Sequence, residues 1–359
     1  MTENLRNKCE LFAENRALIA KKFMFEKSVM SITAGLIFAG ADRKADAEEL
    51  TECRRILNGH AGFFSEYRDT VRLALLSEMA LSGDAEQYIE NVKAVYKKLH
   101  KGHFRDNSYM VLAAMLICDL GKQDRADEII EKHNGILREM EKQHPIITNS
   151  EDISYVILLA LSDRTPDAIL SDIHASADQL KAAFRHRIGS DSIQGISGLL
   201  ALTDGDITEK CEKVIRLYET LKERDADIGD GYVFISLGTL AGIDESADFL
   251  ADEILEADGF LKGIAGFDEK SMDKKHRLMF AVMLAAGSCG ADTPMISSTF
   301  VSSALGIVRA KQIITMITVI SNILPSVIGA VADRSKSETD EDEAQQTEQK
   351  DAENKAASD

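Results

Sequence analysis

The chain has 359 residues, 45% apolar and 28% charged, with 4 prolines, no tryptophan and a formal net charge of −18. The tail from Asp333 to Asp359 holds ten acids against four bases, so −12 remains on the body. A body this acidic repels phosphate backbones, which argues against nucleic acid as a partner, and so few prolines leave helices uninterrupted.

Glu3 to Phe23 is predicted as an amphipathic helix, with Leu5, Phe12, Leu18 and Ile19 near one face. It does not read as a secretory signal. A short apolar helix over Lys27 to Ala39 and a third over Ala45 to Leu57 follow. Next comes an aromatic loop, Gly62 to Arg68, in which Tyr67 and Arg68 are candidate ligand contacts. The structural alternative packs its two phenylalanines beneath the next helix, with Arg68 snorkelling.

From Asp69 a pattern recurs: a short apolar helix, a polar turn, then a longer amphipathic helix. The units start at Asp69, Asp106, Ser150, Asp191, Asp230 and Ser271, giving gaps of 37, 44, 41, 39 and 41 by subtraction. The first helices share small-and-leucine cores such as Leu112-Ala113-Ala114-Met115 and Leu199-Leu200-Ala201-Leu202. Apolar nearly all round, they are expected to be buried on several sides. The second helices carry one stripe each, as in Tyr88, Ile89, Val92, Val95, Tyr96 and Leu99. Thr165 before Pro166 marks a helix start, and Asp206 with Glu209 resembles a capping box. No segment alternates with period two, so no substantial sheet is expected.

Phosphate-loop, dinucleotide and metalloprotease motifs are absent. His100 and His103 have a spacing that suits two metal ligands, but no third accompanies them, and a polar helix end accounts for both. No metal and no cofactor is expected. Arg185-His186-Arg187 is the one basic cluster and reads as a solvated helix end. The five cysteines (Cys9, Cys53, Cys118, Cys211 and Cys289) are scattered and odd in number, which fits a reducing cytoplasm and structural thiols.

The segment from Lys142 to Asp152 is the densest in functional side chains. His144 is positioned in sequence to act as acid or base beside Glu151 or Asp152, with Thr148 between them. The structural alternative explains most of it: Pro145 ends one helix, Asn149 or Ser150 caps the next, and the two acids suit its first turn. Gln194, near the start of a buried helix, suits either a ligand or a backbone hydrogen bond. Further on, Gln312 to Ala332 is a run of 21 uncharged residues, long enough to span a bilayer. Asn322, Pro325 and the lack of charge asymmetry favour helices that cover the open end of the array instead. The acidic tail is expected to be disordered.

With these residues in view, the chain resembles the bacterial family catalogued as domain of unknown function 4003, from about the first helix to Leu284. The likeness is carried by Phe23-Met24-Phe25-Glu26 with Met30, by Phe64-Ser65-Glu66-Tyr67-Arg68, and by Ser108 to Ala114. Its most specific part runs from Met140 through His144-Pro145, Thr148, Ser150, Glu151 and Asp152 to Asp163. Gln194 with Ser197, Glu209-Lys210-Cys211, Leu221-Lys222 and Arg277 to Ala281 complete it. Gly198 departs from the family, where histidine would follow the serine; were that histidine catalytic there, this chain has lost it. The resemblance implies a helical architecture and a bacterial cytoplasmic origin, and no activity.

The expected fold is all-α: an α-solenoid-like stack of helical hairpins with a period of about 40 residues. Residues 1–60 pack on the array, 61–290 form the repeats, 291–332 are apolar terminal helices, and 333–359 are the tail. The leading expectation for function is a protein- or peptide-binding scaffold. The alternatives are an enzyme or small-molecule binder built on His144, Thr148, Glu151, Asp152, Tyr67, Arg68 and Gln194, and a membrane-tethered adaptor using 312–332.

Overall fold

The computed structural model describes residues 1–24, 28–60, 68–101, 108–143, 152–162, 164–202, 205–268 and 272–289. The chain divides into two compact units, Met1–Val319 and Ile320–Asp359. The second unit, the segment 291–332 and the acidic tail lie outside the described residues.

The fold is all-α. Among the described residues there are fourteen α-helices and no strand: α1 (Glu3–Lys22), α2 (Ser28–Gly40), α3 (Ala47–Gly59), α4 (Arg68–Ser82), α5 (Ala85–Lys101), α6 (Ser108–Asp119), α7 (Ala126–Gln143), α8 (Asp152–Leu161), α9 (Pro166–Phe184), α10 (Ser190–Leu202), α11 (Ile207–Glu223), α12 (Tyr232–Ser236), α13 (Ala247–Lys262) and α14 (Lys274–Cys289). A 3₁₀ turn, Leu237–Leu240, prolongs α12. Starts are set by side-chain caps: Thr2, Asp46, Thr165, Asp206 and Ser246 each accept a first-turn amide, which satisfies donors the helix itself cannot. Pro166 follows Thr165 as the first helical residue, and Asp206 accepts from both Thr208 and Glu209.

Even- and odd-numbered helices differ in burial. In α6, Met110 through Ile117 are all 0–1% exposed, so no face of its centre meets water. α5 buries a single stripe, Tyr88, Ile89, Val92, Val95, Tyr96 and Leu99, and leaves its other face polar. Each even helix packs on the odd helix before it or, for α12, lies beside it through the 3₁₀ turn. The even helices also touch in sequence, α2 on α4, α4 on α6, and so on to α12 on α14; the odd helices do the same from α1 to α13. Starts of successive even helices lie 40, 40, 44, 38, 42 and 42 residues apart by subtraction.

α1 and α2 pair as each later outer and inner helix do, and α14 meets α1 and α2 while α13 meets α1. The circuit of contacts closes.

That closure is built from specific groups. Glu253 of α13, 3% exposed, accepts from the Thr2 amide at 2.8 Å and the Thr2 hydroxyl at 2.6 Å. Asn4 donates to the Ser288 carbonyl at 2.6 Å. Phe267 sits edge-on to Phe12 of α1 (5.4 Å between centroids) and to Phe280 of α14 (5.9 Å). Arg16 lies over the Phe267 ring at 5.6 Å and donates to the Ala265 carbonyl. Its guanidinium fills the space a Cβ would need on Gly266, which is held at φ 86°.

The inner helices are tied at their C-terminal ends by a periodic device. Arg43, Lys122 and Arg164 each lie three residues beyond an inner helix and donate to the last turn of the next one. The acceptors are Ala80 O (2.6 Å), Leu161 O (2.7 Å) and Ala201 O (2.7 Å). Lys8 donates likewise to Ala39 O and Lys213 to Ile243 O, while Tyr88 donates to Asp119 at 2.6 Å. The helical carbonyls among them have no partner within their own helix and sit at the negative end of its dipole, so cations suit them; Ile243 lies just beyond the 3₁₀ turn.

Arg277 and Asp258 form a buried ion pair at 2.8 Å, their side chains 3% and 12% exposed, and Arg277 also holds the Phe267 carbonyl. Asp258→Ala strands a buried guanidinium and is expected to cost about 3–5 kcal/mol. The double variant Asp258→Leu with Arg277→Met should recover most of that loss. Urea midpoints of the three proteins test it, and a single variant no less stable than wild type would contradict the pairing.

Candidate functional site

The hairpins give the molecule two unlike ends. Outer-to-inner connections, from five to eleven residues long, run 23–27, 60–67, 102–107, 144–151, 185–189, 224–231 and 263–273. Inner-to-outer connections, at the end stitched by Arg43, Lys122 and Arg164, are two to six residues long. The N-terminal ends of α10, α12 and α14 are tied directly to one another. Gly231 N donates to Ser192 Oγ at 3.0 Å, Gly189 N donates to Asp230 at 3.0 Å, and Lys274 donates to the Asp225 carbonyl at 2.9 Å. Long connections and inner-helix starts therefore share one rim.

The seven residues singled out from the sequence fall in three stretches of the chain. Tyr67 falls in the α3–α4 connection, and His144, Thr148 and Glu151 fall in the α7–α8 connection; these four lie outside the described residues. Arg68 and Asp152 are the first residues of α4 and α8, with their backbones alone described. Gln194 lies in the second turn of α10 and is half-buried. Of the three inner helices concerned, α8 and α10 are neighbours, whereas α4 and α8 each pack on α6.

The described part of the rim is organised by Asp230. Its carboxylate accepts from Gly231 N at 2.7 Å and from Gly189 N, and Ser192 hydrogen-bonds to it as well. Burial alone would raise this carboxyl. The bonds from Ser192, Gly231 and Gly189, together with Lys275 nearby, outweigh burial and hold it below the usual carboxylate range. Gly229 and Gly231 have φ of 64° and 81°, and a Cβ on Gly189 would lie 3.0 Å from the Asp230 oxygen. Asp230 marked the start of a unit in the sequence; that its carboxylate joins the starts of two neighbouring helices was not legible there.

Arg185-His186-Arg187 is a 3₁₀ turn, as a helix end should be. Arg187 is not merely solvated: it pairs with Glu219 at 2.8 Å and lies over the Phe184 and Tyr218 rings at 5.4 and 5.9 Å. His103 lies outside the described residues, and among those described no group of three metal-binding side chains occurs. At the opposite end, a cavity of about 100 Å³ between the start of α7 and the end of α8 is bordered by Lys122, Arg125, Glu128 and Lys132. Lys122 and Lys132 are committed there to Leu161 O and Ser162 O, so the cavity belongs to the stitching.

A family model described as protein of unknown function (DUF4003) matches residues 15–313. The chain belongs to that family. No curated protein and no solved structure matches it. The match covers every segment on which the sequence resemblance rested and includes all seven residues singled out from the sequence.

Four of the five thiols of this DUF4003 chain are raised above the usual thiol range. Burial, reinforced by neighbouring acids, pushes Cys9 and Cys118 up to about 12 and Cys53 to about 11; burial also lifts Cys211 to about 11. Sequence reasoning placed His133 in the apolar stripe of α7 and did not single it out. It is fully buried, and desolvation lowers its imidazole from 6.5 to about 4, with a bond to Asn134 opposing the shift.

Two outcomes follow from this geometry. A histidine with a depressed native pKa stays neutral while the unfolded chain takes up the proton, so stability is lost as pH falls from 6.5 towards 4. The loss should reach about 3 kcal/mol, and His133→Gln should remove most of that dependence in urea titrations at neutral and acidic pH. Arg185 is held at φ 46° and ψ −118°, a conformation that suits glycine. Arg185→Gly is expected to raise stability by about 1 kcal/mol; an unchanged or lower denaturation midpoint would remove the claim of strain.

Proposed function

We propose that this chain is a ligand-binding protein in which seven helical hairpins close into a solenoid-like ring. Its recognition surface lies at the rim where the inner helices begin. The observation that carries this reading is the segregation of the two ends. One end has short turns and is stitched by Arg43, Lys122 and Arg164. The other has the long connections, in or next to which Tyr67, Arg68, His144, Thr148, Glu151, Asp152 and Gln194 fall in the sequence. Ligand sites on repetitive scaffolds favour the loop-bearing end, because loops vary while the packed helices hold them in place. The ligand class is a small polar molecule, and no reaction is assigned.

A protein or peptide lying along an open concave face is the less favoured proposal. Its signature is a continuous apolar track, and among the described residues the exposed large hydrophobic side chain is Met24 alone. The inner helices, which would line such a face, are buried all round. For the adaptor proposal, no helix among the described residues is long and apolar enough to cross a membrane; Gln312 to Ala332 lies outside them. Five scattered free cysteines support a reducing, cytoplasmic setting.

Thermal-shift screening of the full chain against polar metabolites tests the rim. A ligand at about 100 times its Kd adds about 2.7 kcal/mol, enough to raise Tm by several degrees. Arg68→Ala and His144→Ala should abolish the shift while leaving the unliganded Tm in place. Hits that survive both substitutions would move the site elsewhere, and capture of a peptide on the outer helices would favour the scaffold instead.

A further inference from the structure

Successive hairpins are joined by inner-to-outer connections of two to six residues. No connection crosses the seam where α13 and α14 meet α1 and α2. Parting two joined hairpins strains the short connection between them. Parting the seam breaks contacts alone and returns conformational freedom to the chain. Folded proteins open locally in cooperative units, and topology singles out this boundary.

The seam is held by a buried acid whose partners all lie on the far side. Glu253 of α13 is 3% exposed. It accepts from the Thr2 amide at 2.8 and 3.1 Å and from the Thr2 hydroxyl at 2.6 Å, and the Met1 nitrogen lies 3.4 Å away. Among the described residues, no side chain of α13 or α14 bonds to its carboxylate. Asp258, the other buried acid of α13, is instead bonded by Arg277 of its own hairpin. A buried carboxylate stripped of its donors is costly. Glu253 therefore has two acceptable settings: bonded to the start of α1, or hydrated across an open seam. Cys9 of α1 is fully buried beside this acid, whose charge helps burial to raise the thiol.

We propose that Glu253 is the latch of a ring that opens at this seam while its seven hairpins stay folded. The open form uncovers Cys9 and the flanks of α2 and α14, and the bonds from Thr2 to Glu253 set how rarely it is visited. This inference goes beyond the rim reading and does not rest on it.

The buried thiols report the opening. Cys211 is as fully sealed as Cys9, but it lies against the Ser176 carbonyl of α9, at a boundary that the chain does bridge. The full chain is labelled with iodoacetamide in native buffer, and each thiol is followed by peptide mass spectrometry and normalised to its own rate in urea. Cys9 should react about tenfold faster than Cys211 or more, because its opening need not be global. Glu253→Gln should speed Cys9 by a further factor of about ten, as expected for weakened bonds to a charged group, and leave Cys211 unchanged. Equal protection of Cys9 and Cys211 in the wild-type protein overturns the proposal, because the ring then opens only by unfolding whole. So does a Glu253→Gln protein in which Cys9 is no faster, or in which both thiols speed up together. Should that variant fail to fold, the wild-type comparison decides by itself.

Discussion

The inner helices have no face they can show to water. In α6 eight consecutive residues are sealed, and each such aliphatic side chain contributes roughly 1.5–3 kcal/mol when buried and forfeits it when exposed. No single hairpin can provide that shelter, since its outer helix covers one side alone. Every inner helix therefore needs an inner neighbour on each flank, and an array that stops anywhere leaves two greasy flanks uncovered. Contact of α14 with α1 and α2 removes both at once. The clasp of Thr2 on Glu253 and the Phe12–Phe267–Phe280 cluster exist because that meeting has to be made between residues some 250 positions apart in the chain.

Much of the helical skeleton was legible from pattern alone, because burial acts on the local sequence: α1, α2 and α3 fall within two residues of the ranges read from periodicity, and Thr165-Pro166 marked a true start. Closure was not legible. Nothing local distinguishes a helix that caps an array from one that completes it, and α1 has the same one-sided stripe as every other outer helix. The cations that finish the inner helices were hidden for a related reason. Arg43, Lys122 and Arg164 looked like ordinary polar-turn residues, and their shared offset from the preceding helix becomes a repeat signal when the acceptor one unit away is seen.

The candidate site divides along the same line. Sequence density singled out His144 to Asp152 and the Tyr67-Arg68 pair, and both fall where the chain passes from an outer to an inner helix. Asp230 was read only as the start of a unit and Ser197 only as part of the family likeness, and Ser192 was not singled out, since an acid in a glycine turn and a serine in an apolar helix are common and usually bland. What sets Asp230 apart is geometric: one carboxylate shared between two helix starts.

A circuit that meets itself also fixes how such a chain can change over generations. Open stacks lengthen or shorten by duplicating or losing a unit, because the terminal faces need only be made polar. Here one hairpin more or fewer would alter the rotation each unit must supply, and the flank of α14 would no longer arrive at α1. An added hairpin would have to re-form the bonds of Thr2 to Glu253 and of Asn4 to the Ser288 carbonyl.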